Sequence, residues 1–116
     1  MVLPTDETRW SALANPLHLV SSVGNTITAG TLFDLTVTAV DVYGNVLPTY
    51  TDTVKFTDSV TGATLPAKYT FTTGSGKDNG VHTFTGLVLN TKGLQTLTVT
   101  DSKTGKLLGT LTVNVV

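Results

Sequence analysis

The chain has 116 residues, with seven Lys and Arg against eight Asp and Glu, a formal charge of -1 and a pI near 6.0. That is one domain's worth of polypeptide with no basic stripe to track a phosphate backbone, so nucleic acid is not an expected partner. Its apolar residues, 40 % of the total, come in uninterrupted runs of at most three, as at Leu87 to Leu89, too short to cross a bilayer, and no membrane insertion is expected. The absence of cysteine excludes disulfides, thiolate metal sites and cysteine nucleophiles together. Charged residues are only 13 %, while threonine occurs 25 times, so hydroxyls rather than charges wet this surface.

Residues 1–15, with Trp10 and the only glutamate, Glu7, show no strand alternation and no basic region followed by an apolar stretch. They read as a leader or inter-domain linker, with the folded domain expected over 16–116. Leu17, Leu19, Val20 and Ile27 around the turn Val23-Gly24-Asn25 predict a first strand broken by a kink. Phe33, Leu35, Val37 and Ala39 alternate with Asp34, Thr36 and Thr38, the pattern of a half-buried strand. Val54 and Phe56 face inward with Lys55 outward, and Tyr69 and Phe71 alternate with Thr70 and Thr72. Between His82 and Leu89 the apolar parity slips from Phe84 to Leu87 across Gly86, which predicts a β-bulge. Leu97 and Val99, then Leu111, Val113 and Val115, alternate with threonines to complete the set.

Glycine-containing turns at Gly44, Gly62, Gly80, Gly93 and Gly105 separate these runs. About seven such strands, each apolar on one face, need two sheets packed together, so the expected fold is all-β: an antiparallel, immunoglobulin-like β-sandwich. The core should hold Leu17, Leu19, Ile27, Phe33, Leu35, Val37, Val54, Phe56, Tyr69, Phe71, Phe84, Leu97, Val99, Leu111 and Val113. Lys55, Lys68, Pro48 and Pro66 are placed to discourage strand addition at the edges. Threonine pairs at Thr36 and Thr38, Thr96 and Thr98, and Thr110 and Thr112 raise the question of an ice-binding array. They are expected on both sheets, where β-propensity explains them.

From Pro16 onward, the segments TAGTLFDLTVTAVDVYGNV, TDTVKFTDS, YTFTT, GVHTFTGLVLNTKGLQTLTVTD and TLTVNV together resemble bacterial immunoglobulin-like repeats, the broad group of invasin- and intimin-type domains and filamin-like sandwiches. That resemblance implies a non-enzymatic module of a secreted or cell-surface protein, extracellular, one bead of a tandem array acting as spacer, stalk or adhesion unit. It implies neighbouring domains of the same chain as partners, with a glycan or host-surface protein as the alternative, and a monomer.

The residues themselves offer little chemistry. His18 and His82 have no serine in a nucleophile-elbow frame and no glutamate nearby, so an enzyme is not expected; His82, in phase with Phe84, reads as a partly buried, hydrogen-bonded histidine. Gly74-Ser75-Gly76-Lys77 fails as a phosphate loop because Phe71 and Asp78 occupy required positions. No cofactor is expected; calcium is the one ion to weigh, with Asp41, Asn45 and Asp101 as its candidate oxygen ligands and Asp78 and Asn79 as further turn oxygens. The alternative for such residues is bonding to their own backbone. Trp10 in the leader and Tyr43 and Tyr50 in the loop 41–50 are the aromatic side chains outside the core pattern and the candidate ligand contacts; a recognition module would use the loops 41–50 and 74–80. An isopeptide crosslink is not expected, since Lys55 faces outward.

Overall fold

The computed structural model describes residues 17–41, 43–102 and 108–116, with Leu108 described by its backbone alone. The leader expected over 1–15, with Trp10, and the turn at Gly105 lie outside the described residues. Eight strands follow in order: β1 (Leu17–Ser21), β2 (Thr26–Ile27), β3 (Phe33–Ala39), β4 (Thr53–Asp58), β5 (Tyr69–Thr70), β6 (Val81–Leu87), β7 (Gly93–Asp101) and β8 (Leu108–Val115). They form an immunoglobulin-like sandwich of a three-stranded sheet, β1-β3-β6, and a five-stranded sheet, β2-β8-β7-β4-β5.

The alternating strands place one parity inside. Along β3, Phe33, Leu35, Val37 and Ala39 are buried and their neighbours are not. Leu97 and Val99 of β7 meet them from the opposite sheet, and Phe56 of β4 packs edge-on against Phe84 of β6 at 4.6 Å between ring centroids. The expected core is buried except at Tyr69 and Leu111, which are half-buried and packed against it. Ala39, Val40, Tyr50, Leu87, Leu89 and Val115 join it.

Three features depart from or sharpen the sequence reading. The predicted kink is a change of sheet: the chain leaves β1, turns at residues 22–25, and enters the other sheet as β2. Because β2 keeps the direction of β1, it pairs in parallel with β8, so the sandwich is not wholly antiparallel. The bulge lies where the parity slip put it. The register steps from Phe33↔Leu87 to Leu35↔Phe84, two residues against three, with Gly86 at φ 78°. The threonine pairs fall on both sheets, as expected, but unevenly: those on β7 and β8 share one outer face, with Thr96 opposite Thr112 and Thr98 opposite Thr110. The two strands are neighbours in one sheet, so their outward parities coincide; only Thr36 and Thr38 lie on the other sheet.

The edges are partly as expected. β5 pairs with β4 only at Thr53 and Val54, so β4 becomes an edge where exposed Lys55 begins. On the far side the two sheets meet closely: β8 passes β1 at Gly109, where a Cβ would collide with the Leu17 carbonyl oxygen.

Candidate functional site: paired loops at the N-terminal end

The loops 41–50 and 72–80 come together beside the start of β1. Leu17 pairs with Ala39 at the end of β3, and the Ala39 N–H donates to the Gly80 carbonyl at 2.8 Å. Gly80 packs so closely on the Leu47 carbonyl that no Cβ fits there, and the Thr73 hydroxyl donates to the Pro48 carbonyl at 2.7 Å. The two loops thus form one surface.

In the first loop, Asp41 organises a tight turn. Its Oδ1 accepts the N–H groups of Tyr43 at 2.8 Å and Asn45 at 3.0 Å. The Asn45 N–H is the main cause holding this carboxyl below its ordinary range, with desolvation opposing it. Tyr43 rides on that turn with 56 % of its surface exposed. Tyr50, by contrast, is a correction: it is 1 % exposed and donates its hydroxyl to Asp101 Oδ2 at 3.1 Å. Burial first, then the Asp101 carboxylate, pushes the phenol upward, so it stays protonated at ordinary pH. Tyr50 is a structural tie and not a ligand contact.

The same contact corrects the calcium set. Asp101 is fully buried on β7 with the Tyr50 hydroxyl, and Asp41 Oδ1 is committed to its own turn, so Asp41, Asn45 and Asp101 present no shared ligand shell. Among the described residues no three His, Cys, Asp or Glu side chains converge as a metal site.

The second loop is built on Asp78 and Asn79. Asp78 Oδ2 accepts from the Tyr69 hydroxyl at 2.7 Å, the Thr72 N–H at 3.0 Å and the Thr72 hydroxyl at 3.1 Å, and Oδ1 lies 2.7 Å from His82 Nδ1. Desolvation alone would raise this carboxyl, but the hydrogen bonds from Tyr69, His82 and Thr72 outweigh it and bring it to about 2. Asn79, at φ 52°, pins the loop by accepting the Gly74 N–H and donating to the carbonyls of Gly74 and Lys77. The His82 ring stacks on Tyr69 at 4.0 Å between centroids, a half-buried, hydrogen-bonded histidine as its parity predicted. Sequence reasoning named Asp78 and His82 but did not join them; their four-residue separation was the available signal.

Chemically, the carboxylate can hold the Nδ1 proton and leave Nε2 as a base. No serine, threonine or cysteine hydroxyl or thiol bonds to Nε2 among the described residues. His18 pairs with Thr38 and His82 with Val37, so the two imidazoles lie on opposite faces of one sheet. The groove lined by Leu17, His18, Leu19, Val20 and Thr110 is open rather than enclosed.

No protein-family model and no curated protein matches this chain. A solved structure does. The CARDB domain of the PF1109 protein from Pyrococcus furiosus, described as a complex with di-metal ions, is similar over 97 % of this chain and 100 % of that one, at 20 % identity and a TM-score of 0.52. This likeness shows the β-sandwich fold, not specifically the invasin or intimin kind.

Proposed function

We propose that this chain is a non-catalytic spacer module of a larger secreted or cell-surface bacterial protein, monomeric and set between neighbouring domains, which it holds in line. The observation that carries this reading is the position of its ends. Leu17 lies beside Gly109 at the start of β8, whereas Val115, at the end of that strand, pairs with Gly93 and Ile27 at the opposite end of the sheet. Six residues of extended chain separate Gly109 from Val115, about 20 Å. The chain therefore comes in at one end of the sandwich and goes out at the other, as a bead in a linear array must. Hydrogen bonds that commit Asp41, Asp78 and Asn79 to their own loops support the same reading, since they spend polar groups on shape rather than on a ligand.

A recognition module is the second reading, favoured by exposed Tyr43 on its rigid turn. Retention on a panel of immobilised polysaccharides and surface proteins separates the two. The spacer reading expects no retention; retention abolished by Tyr43→Ser would move the function to the paired loops.

A further inference from the structure

Asn79 is followed by Gly80, and no other asparagine of the chain has a glycine after it. Asn25, Asn45, Asn90 and Asn114 precede Thr26, Val46, Thr91 and Val115, whose branched side chains crowd the backbone nitrogen, and Asn15 precedes Pro16, which has no N–H. An asparagine loses its amide when the backbone nitrogen of the next residue attacks its side-chain carbonyl carbon, so Asn79 is the least hindered of these sites. The fold restrains that attack. Asn79 Oδ1 accepts the Gly74 N–H at 2.9 Å and the Thr73 hydroxyl at 3.2 Å, while Nδ2 donates to the carbonyls of Gly74 at 3.0 Å and Lys77 at 3.2 Å. Gly80 is buried, so a base in solution reaches its N–H only when the loop opens.

We propose that the Asn79–Gly80 pair is a deamidation site gated by opening of the loop 72–80, and that the reaction releases this loop from the loop 41–50. In the open loop a base takes the Gly80 N–H proton, the freed nitrogen bonds to Asn79 Cγ, and the side-chain nitrogen departs as ammonia. Water then opens the resulting succinimide ring at either carbonyl, giving aspartate or isoaspartate with no change of oxidation state. Either product lacks the amide donors that held the carbonyls of Gly74 and Lys77, and each sets a second carboxylate next to Asp78. Isoaspartate also lengthens the main chain by one methylene immediately before Gly80. That glycine has no slack: its carbonyl accepts the Ala39 N–H at 2.8 Å, and it packs on the Leu47 carbonyl with no room for a Cβ. The two loops must then part. This inference is independent of the spacer reading.

The test is incubation of the full chain at mildly alkaline pH, folded in buffer and unfolded in guanidinium chloride, with peptide mapping of every asparagine over time. Asn79 should react before any other asparagine in both states, yielding aspartate and isoaspartate. In the folded chain it should react at least about tenfold more slowly than in the unfolded one, the factor supplied by about 1.4 kcal/mol of opening free energy. Thr73→Ala removes one restraint on Asn79 Oδ1 and the tie to the Pro48 carbonyl. It should speed the folded-state reaction and leave the unfolded rate unchanged. Protein carrying the modification should melt at a lower temperature and lose hydrogen-exchange protection at the Ala39 amide. The wild-type comparison between folded and unfolded chains stands even if the variant misfolds. Reaction first at another asparagine, equal folded and unfolded rates, or modified protein that keeps its melting temperature and its Ala39 protection would each overturn the proposal.

Discussion

At the scale of single residues, Asp78 depends most on the fold for its chemistry. Its carboxyl sits at about 2 against an ordinary 3.8, so the folded state binds its proton less readily than the unfolded chain does. The resulting stabilisation is complete above about pH 4 and is lost as pH falls toward 2. Asp78→Asn should cost about 2 kcal/mol at pH 7, the scale of hydrogen bonds to a charged group, and the gap to the wild type should narrow near pH 2. Denaturant melts at the two pH values check this, and a gap unchanged by pH would contradict it. Residue chemistry was partly legible in the sequence. His82 read correctly as a bonded histidine, because strand parity places it beside Phe84. Tyr50 did not read as core: it follows Pro48 in a stretch without alternation, and its partner Asp101 lies 51 residues away. No local pattern encodes such a pairing.

At the scale of elements, period-two alternation located β3, β4, β7 and β8, and the slip at Gly86 located the bulge, because each is a local property of side-chain direction. The alternation of Tyr69 and Phe71 located β5 too, although only Tyr69–Thr70 pair as a strand; two-residue β2 is too short to alternate, and its existence depends on the strand alongside. Sheet membership is non-local as well, so the spacing of the β7 and β8 threonines does not reveal that they share one face. Two glycines separate conformational from steric demands. Gly86 has positive φ and open space where a Cβ would stand, whereas Gly109 has the Leu17 carbonyl there. Gly86→Ala should therefore cost about 1 kcal/mol, the strain of a left-handed L-residue, and Gly109→Ala about 3 kcal/mol, since backbone must move to admit the methyl. Equilibrium unfolding of both variants gives the order; equal losses would mean that β1 and β8 do not approach as closely as described.

At the scale of the whole molecule, the proposed spacer role rests on how the first and last strands lie. β1 and β8 run in the same direction, side by side, and the chain leaves them at opposite ends. Tension between the ends acts along the strands and across their hydrogen bonds, so β1 must shear from β3 over five paired residues and β8 from β7 over eight. Many bonds then share the force before any breaks. The sequence made the two-sheet architecture legible through its apolar parity. It left the end-to-end geometry hidden, because that follows from which strands neighbour one another. The most direct measurement is single-molecule pulling on the same module in two geometries: through its natural ends, and through Leu17 and Ser102, which lie at the same end. Pulling through the natural ends should give one concerted rupture at a force several times that of the second geometry, a contrast expected when bonds are loaded together rather than in sequence. Equal forces in the two geometries, or stepwise opening through the natural ends, would contradict a load-bearing spacer.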